Sequence, residues 1–308
     1  MAAFSDDSTI EQELVESLEE RATRFFGPPT TPVQVEFGTM THQGKVRTNN
    51  EDHYGVVRRR RSRDVLATNL PAGLLPPVYD DAYVMAVADG VGGAAFGEVA
   101  SMLALRTGWD LTSGAFKWHF QITESEADEL LEMLRVHFKL THHRLQEHAE
   151  ADPRLAGMGT TLTGAMSIGC NAFIAHIGDS RAYRFRDGSM ERLTRDHTAA
   201  QQMVDAGTIG SIAEASRMMR NMLVNSLGGS RREIEVDTCQ IQLADGDRLL
   251  ICSDGLTDMV PEREIAEILT RSVEPQAAAQ ALVESALDHG GRDNVTVVLA
   301  KYSVPRAD

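Results

Sequence analysis

Acidic residues recur at the ends of the apolar segments that the sequence predicts to be β-strands. Asp89 directly follows one such segment, Asp254 follows another, and Asp293 lies two residues before a third. A single acid at a strand end is usually a turn former or a helix cap. Six acids at such points indicate a shared site instead, and they are Glu51, Asp52, Asp89, Asp179, Asp254 and Asp293.

Carboxylates that converge repel one another and lose hydration, so the site needs protonation or bound cations. Ligation by oxygen alone, without paired His or Cys, selects Mg²⁺ or Mn²⁺ over zinc. Gly90, next to Asp89, would let a backbone carbonyl approach such an ion closely. Two ions about 4 Å apart can bridge a water, lower its pKa towards neutrality and stabilise both oxygens of a phosphoryl displacement. The acids therefore predict a metal-dependent phosphate hydrolase.

A phosphate substrate also needs a positive charge. Arginine suits this role best, because its planar guanidinium binds two oxygens at once. Arg47, four residues before Glu51, is the candidate.

Composition indicates an ordinary globular protein. The chain has 308 residues, 42% hydrophobic and 24% charged, with a net charge of −15. This charge opposes binding to nucleic acid or to anionic membranes. No segment approaches the roughly 18 apolar residues that span a bilayer, and the N-terminus lacks a signal-peptide pattern. We therefore expect a cytoplasmic location and no contact with membranes or nucleic acid.

The three cysteines predict no special chemistry. Cys170, Cys239 and Cys252 are too few for a disulfide framework, and none belongs to a C-x-x-C pair. We expect them to be small buried apolar residues.

The N-terminal residues read as an appendage to one large domain. Residues 9–26 predict an acidic amphipathic helix with a capping box at Ser8 and Glu11. A glycine and two prolines end it, so residues 1–33 form a helix and linker ahead of a domain at 34–308. The helix could pack on the domain, or it could contact a partner or a second copy of the chain.

Helical patterns alternate with strand-length apolar segments along the domain. The helical patterns cover 97–107, 124–149, 262–271 and 276–288, and the apolar segments include 83–88, 161–168, 172–177, 248–252 and 295–300. The short Gly178-Asp179-Ser180 turn predicts that strands 172–177 and 181–186 form a hairpin.

Two segments look inserted. Residues 58–82 begin with five arginines among six residues and predict a solvated hairpin extension, with docking of an acidic partner as the alternative. Residues 198–235 are rich in Met and Gly, and they predict either a mobile flap or a loosely packed helical excursion.

Seven motifs resemble the metal-dependent protein phosphatases, the protein phosphatase 2C-like family, in its bacterial form. They occur in the family's order across residues 37–302, and they are R-T-N-N-E-D (47–52), A-D-G-V-G-G (88–93), M-G-T-T (158–161), G-D-S-R-A-Y (178–183), L-T-R-D-H-T (193–198), C-S-D-G-L (252–256) and G-R-D-N-V-T-V-V (291–298). The resemblance implies an α+β fold, a four-layer α-β-β-α sandwich of two antiparallel sheets between helix layers. It also implies a signalling protein serine/threonine phosphatase that acts on phosphorylated proteins, in which water bridging two metals attacks the phosphate.

The resemblance further implies Mn²⁺ or Mg²⁺ as cofactor, with two ions in the core site. Asp89 would bridge both ions, and the Gly90 carbonyl and a water held by Glu51 would complete the first. Asp254 and Asp293 would ligate the second.

The remaining roles are also carried over by position. Asp179, with Asp254, would hold a third, weaker ion. Asp52 would orient the metal waters, Asn294 would support Asp293, and Arg47 would bind the substrate phosphate. The segment 198–235 matches the family's flap.

The general acid is not assigned by these motifs. Animal members of the family carry a histidine where this chain has Val91, and several bacterial members carry one where it has Ala94. A metal-bound water could protonate the leaving group, and His53 and His197 are the other candidates.

Other function classes fit less well. Gly90 to Ala95 satisfies a dinucleotide fingerprint with Asp110 as its distant acid, but Asp89 would place a charge beside the pyrophosphate. No C-x₅-R motif or P-loop is present. The main alternative is a pseudophosphatase that binds phosphoproteins without turnover, which the retained Arg47 and core acids oppose.

Overall fold

The computed structural model of the chain describes residues 33–71, 78–91, 96–115 and 124–305. Within them, two antiparallel sheets lie face to face. The first sheet has the order β1 (Gln34–His42), β12 (Val295–Ser303), β11 (Arg248–Cys252), β7 (Arg181–Arg186), β8 (Ser189–Arg192). The second has the order β10 (Asp237–Gln242), β6 (Asn171–Ile177), β5 (Leu162–Ile168), β3 (Val78–Val91), β4 (Gly159–Thr160), β9 (Leu227–Gly228), and β2 (Asp52–Arg63) pairs with β3.

Helices cover the outer faces of both sheets. The long helices α1 (Gly97–Ala115) and α2 (Glu124–Ala151) pack on the second sheet, and α6 (Glu262–Arg271) and α7 (Pro275–Asp288) pack on the first. Shorter helices are α3 (Ala199–Asp205), α4 (Arg217–Arg220) and α5 (Asp254–Thr257). The predicted α-β-β-α sandwich is therefore confirmed.

The unbroken apolar segments follow from this layering. On β11, Leu249 and Ile251 join the core between the sheets, whereas Leu250 and Cys252 join the core under α6 and α7. Successive side chains of a strand point to opposite faces, and here both faces are covered. Residues 249–252 of the strand are therefore all apolar, instead of every second one.

The hairpin predicted at Gly178-Asp179-Ser180 is wrong. β6 pairs with β5 and β10 in the second sheet, whereas β7 pairs with β11 and β8 in the first. The turn therefore carries the chain from one sheet to the other. Gly178 has φ +112°, and a Cβ there would lie 2.5 Å from the Thr161 side chain, so this crossing requires glycine.

The arginine-rich segment continues the second sheet. Residues 58–63 belong to β2 and pair with residues 78–83 of β3. Arg60 donates two hydrogen bonds of 2.7 Å to the carboxylate of Asp81 on the neighbouring strand. The predicted hairpin extension is thus a lengthening of two core strands.

The segment 198–235 contains α3, α4 and β9. Thr198 caps α3 by accepting a hydrogen bond from the Gln201 amide, and β9 pairs with β4. The helix and linker predicted for residues 1–33 lie almost wholly outside the described residues.

All three cysteines are free, and only Cys252 is fully buried. In the described part of the chain, no helix is long and apolar enough to span a membrane.

Replacement of glycine by alanine should have opposite effects on stability at Gly38 and at Gly108. A Cβ on Gly38 of β1 would lie 2.0 Å from the Pro275 carbonyl oxygen at the start of α7, so Gly38→Ala forces these elements apart. We expect it to lower the free energy of unfolding by roughly 1–3 kcal/mol. In Gly108→Ala on α1, the new methyl group meets nothing within 4 Å. That variant should gain roughly 0.5–1 kcal/mol from helix propensity. Urea denaturation measures both, and equal stability of the two variants would contradict the close contact at Gly38.

Candidate active site

Eight of the nine predicted site residues line one pocket of about 160 Å³ at an edge of the sandwich. They are Arg47, Glu51, Asp89, Gly90, Asp179, Asp254, Asp293 and Asn294, and Val91, Asn221 and Leu223 complete the lining. We call this the acidic pocket. The ninth residue, Asp52, lies buried behind it.

Asp89 is fixed by its own backbone. Its N–H donates to Thr161 Oγ1 at 3.0 Å, and its carbonyl oxygen accepts from the Thr161 N–H and from Thr160 Oγ1, both at 2.8 Å. The two threonines belong to the M-G-T-T motif. They therefore hold the end of β3 in register with the start of β5.

Gly90 allows α1 to begin against the end of β3. A Cβ on Gly90 would lie 2.4 Å from the backbone of Gly97, the first residue of α1. A Cβ on Gly97 would in turn lie 2.7 Å from Glu51 Oε2. Ser101 Oγ lies 2.6 Å from the Glu51 carbonyl oxygen, and the Gly90 N–H donates to the same oxygen at 3.2 Å. Glu51, Gly90 and α1 are therefore held together.

Asp52 and Asp89 are direct register partners on β2 and β3. Like charges directly opposite each other on paired strands are destabilising. The Asp52 Oδ2 atom accepts a hydrogen bond of 2.7 Å from Ser253 Oγ, but its buried Oδ1 atom has no partner. One oxygen of this pair, Asp52 Oδ1, is thus left without a hydrogen bond beneath the pocket.

Asp293 and Asn294 join the loop before β12 to the loop after β1. Arg47 Nη2 donates to Asp293 Oδ2 at 2.6 Å. The Asn294 side chain accepts from the Glu51 N–H at 2.8 Å and donates to the Gln43 and Asn49 carbonyl oxygens, both at 2.9 Å. Asn294 supports Asp293 through its own N–H, which donates to Oδ1 at 2.9 Å. Its side chain instead shapes the loop that carries Arg47 and Glu51.

Burial and mutual repulsion raise the pKa of the acids in this region. Desolvation, followed by repulsion from the neighbouring aspartates, raises the pKa of Asp89 and Asp254 well above its usual value. Desolvation raises the pKa of Asp52 to about 6. Desolvation and repulsion from Asp196 raise that of Asp179 to about 7. Perturbed carboxylates gathered in one cleft are typical of a functional site.

The two histidines considered as general acids do not line the acidic pocket. His53 Nδ1 lies 2.8 Å from Ser101 Oγ. The His197 Nδ1 atom accepts from the Gly178 N–H at 3.2 Å and from Asn225 Nδ2 at 3.1 Å, and Nε2 lies 3.1 Å from Asp237 Oδ2. His197 therefore ties the turn at Gly178 to Asn225 in the Met-rich segment and to Asp237 at the start of β10.

The lining suits hard divalent cations. The side-chain oxygens of its lining belong to carboxylates and two amides, with no His or Cys among the described lining residues. Among the described residues, no group of three or more His, Cys, Asp or Glu side chains is arranged so that it could hold an ion. Asp293 is turned to Arg47. A cation held by carboxylates, by the Gly90 carbonyl and by water matches this arrangement. Such a cation would relieve the repulsion between Asp52 and Asp89.

The chain resembles characterised proteins over nearly the whole described region. The family model described as Protein phosphatase 2C matches residues 77–288. The chain belongs to this family. The resemblance that the seven motifs indicate is therefore confirmed.

Relatives and solved structures within the family agree. The serine/threonine phosphatase stp of Listeria welshimeri is 33% identical over 264 residues, which cover 86% of this chain and 94% of that protein. The structure of Stp1 from Staphylococcus aureus has a TM-score of 0.71 at 26% identity and covers 91% of this chain and 97% of its own. The catalytic domain of PstP in complex with two manganese ions has a TM-score of 0.67 at 32% identity, covering 88% and 100%.

The sequence did not point to three residues near the site. Asn221 and Leu223 line the pocket from the Met-rich segment, and Asn221 Nδ2 donates to Asp258 Oδ2 at 3.2 Å. Asp258 also contributes to the raised pKa of Asp254. Asp258 lies four residues after Asp254 in C-S-D-G-L-T-D. That helical spacing is the one signal that could have found it.

The raised pKa values predict that the metal-free protein loses stability as the pH rises. An acid whose pKa is raised on folding stabilises the folded state below its unfolded pKa of about 4, and this contribution is lost as pH rises through the folded pKa. For Asp52 and Asp179 this window extends to about pH 6 and 7. With a chelator present, Asp254→Asn should therefore gain stability relative to the wild type between pH 5 and 8, by on the order of 1 kcal/mol or more.

Urea denaturation of the wild type and of Asp254→Asn at pH 5 and at pH 8, with and without Mn²⁺, measures this difference in stability. Saturating Mn²⁺ should reverse the order, because an ion then binds the wild-type carboxylate. Asp110→Asn, which removes an exposed charge from α1, is the control and should show neither effect. Equal pH dependence of Asp254→Asn and Asp110→Asn would contradict the repulsion.

Proposed function

We propose that this chain is a metal-dependent protein serine/threonine phosphatase in which the acidic pocket is the active site. The supporting observation is the convergence of Asp89, Asp179, Asp254 and Asp293 with Arg47 in one pocket of a protein phosphatase 2C family member. Four carboxylates need cations, and an arginine beside them suits a phosphate group.

We further propose that the pocket holds two Mn²⁺ or Mg²⁺ ions, with a third and weaker ion at Asp179. Asp89, Asp254, Asp293, Glu51 and the Gly90 carbonyl would hold the first two. When bound, such ions supply an activated water and stabilise the charge that develops on the phosphoryl oxygens.

Arg47 would hold the phosphate of the substrate. Its guanidinium is half-exposed and is already aligned by Asp293, which raises the pKa of Arg47 still further. A phosphate can take the place of Asp293 on this guanidinium, because Asp293 holds it through one oxygen whereas a phosphate can present two. Asn294 and Asp52 would position the loop of Arg47 and the acids, respectively.

Phosphorylated proteins are the substrates that we propose, with phosphoserine or phosphothreonine as the reacting residue, produced by a serine/threonine kinase. Because the described lining residues include no aromatic side chain, they offer no ring-stacking surface for phosphotyrosine. The three free thiols are consistent with action in a reducing compartment such as the cytoplasm.

The pseudophosphatase alternative is not favoured. It would be supported by the loss of a carboxylate or of the arginine from the pocket, and all of them are in place.

Replacement of Asp254 tests the metal requirement. We expect wild-type protein to release phosphate from a phosphothreonine peptide only when Mn²⁺ or Mg²⁺ is added. Asp254→Asn should lower kcat on the order of 100-fold or more, because it removes a ligand and its charge. The control Asp110→Asn should keep wild-type turnover. A folded wild-type protein that binds Mn²⁺ by calorimetry yet releases no phosphate would support the pseudophosphatase instead.

Replacement of Arg47 tests phosphate recognition separately. Arg47→Lys keeps the charge but loses the bidentate fork, so KM for the phosphopeptide should rise roughly tenfold. Arg47→Ala should lose more. Inhibition by inorganic phosphate provides a second readout and should weaken in the same order. Unchanged KM and unchanged phosphate inhibition in Arg47→Ala would exclude Arg47 as the phosphate ligand.

A further inference from the structure

His197 lies outside the acidic pocket and contacts two of the segments that line it. One of these segments is the turn from β6 to β7, which carries Asp179, and the other is the Met-rich segment (residues 198–235), which carries Asn221 and Leu223. His197 immediately precedes the first residue of the Met-rich segment, and its side chain is only 13% exposed. It therefore lies inside the protein at the junction of two parts of the pocket lining.

The backbone of Gly178 is bonded to His197 through both of its polar groups. The Gly178 N–H donates to His197 Nδ1 at 3.2 Å, and the Gly178 carbonyl oxygen accepts from the His197 N–H at 2.7 Å. This carbonyl belongs to the peptide bond that leads into Asp179. Because glycine tolerates many backbone conformations, bonds to both groups restrict the direction in which Asp179 leaves the turn.

His197 also holds the part of the Met-rich segment that returns to the pocket. The His197 carbonyl oxygen accepts from the Val224 N–H at 2.9 Å, and Asn225 Nδ2 lies 3.1 Å from His197 Nδ1. Val224 directly follows Leu223 of the pocket lining. The spacing between Asp179 and Leu223 in the pocket therefore depends on His197.

These contacts require one tautomer of the imidazole. Nδ1 accepts from the Gly178 N–H, so the ring hydrogen of His197 lies on Nε2. Asp237 Oδ2, which lies 3.1 Å from Nε2, accepts this hydrogen. A carboxylate bonded to one ring nitrogen fixes the tautomer and the orientation of the ring. The ring of His176 packs on that of His197 with the centroids 4.9 Å apart. The imidazole is therefore held with Nδ1 towards the turn.

We propose that His197 is a positioning residue that holds Asp179 at a fixed distance from the Asn221 and Leu223 side of the acidic pocket. The inference rests on the proposed function, in which Asp179 is a ligand of the weakest ion. Loss of the Nδ1 contact would free the peptide bond before Asp179, so this ion and the phosphopeptide should bind less tightly. Asp89 is fixed by the threonines of the M-G-T-T motif instead, so the tighter ions should not respond.

Two substitutions separate the two ring nitrogens of His197. In His197→Asn, the side-chain oxygen takes the place of Nδ1 and can accept from the Gly178 N–H, but the side chain is too short to reach Asp237. In His197→Gln, the longer amide can reach Asp237, but no acceptor remains at the position of Nδ1. We therefore expect His197→Asn to resemble the wild type and His197→Gln to differ from it. The opposite order is expected if His197 serves only as an anchor for Asp237.

Calorimetric titration of the full chain with Mn²⁺ measures the effect on the weakest ion. Its dissociation constant should rise about tenfold in His197→Gln and stay close to the wild-type value in His197→Asn. Hydrogen–deuterium exchange at residues 172–180 should be faster in His197→Gln, because the Gly178 N–H has lost its acceptor. This exchange is measured without metal or turnover. His143→Gln, which alters an exposed His–Glu pair on α2, is the control and should change neither quantity.

Turnover of a phosphothreonine peptide supplies a further readout. At saturating Mn²⁺, His197→Gln should raise KM roughly fivefold and leave kcat within about twofold of the wild type. Urea denaturation establishes that both variants are folded. Unchanged exchange and Mn²⁺ affinity in His197→Gln, equal behaviour of the two variants, or no third ion in the wild type would overturn the proposal. A wild type without turnover, combined with the expected changes in exchange and Mn²⁺ affinity, would contradict the proposed function and support the role of His197.

Discussion

Buried negative charge at the end of one strand pair is the constraint on which the rest of this structure depends. Asp52 and Asp89 are register partners on β2 and β3, and Asp254, Asp179 and Asp293 add to the repulsion at Asp89. Such a group of acids would separate if it lay on flexible loops. It stays together because each acid is attached to a strand or helix end that a large apolar core holds in place.

The three core layers supply that support. The core between the sheets fixes β3 against β11 and β12. The strand ends near Asp89, Asp254 and Asp293 therefore stay at fixed distances from one another. The cores under the outer helices hold α1 against Gly90, and they hold α5, which begins at Asp254, beside the pocket. Polar groups of the backbone complete the arrangement, as at Asp89, whose N–H and carbonyl are both bonded to Thr161. The stability of the sandwich therefore offsets the instability of the empty site.

The chemistry of the site could be predicted from the sequence, but the pairing of its strands could not. Acids at strand ends predict a shared site because a strand ends wherever its apolar pattern ends, which is a local property. The Gly178-Asp179-Ser180 turn was misjudged because strand pairing is not local. A short glycine turn joins two strands of one sheet or of two sheets with the same residues. Here the path of the chain depends on Thr161, which is distant in sequence and packs against Gly178. Asn221 and Leu223 were missed for the same reason, since nothing near them in sequence indicates the pocket.

Glycine has two opposite uses in this fold, and the surroundings of each one distinguish them. At Gly90 the space that a side chain would need is filled by the backbone of Gly97, so the residue serves close packing beside the acids. At Gly108 nothing lies within 4 Å of the same space. Gly108 is only partly buried, and it gives up the helix propensity and the dispersion contacts that a methyl group there would supply.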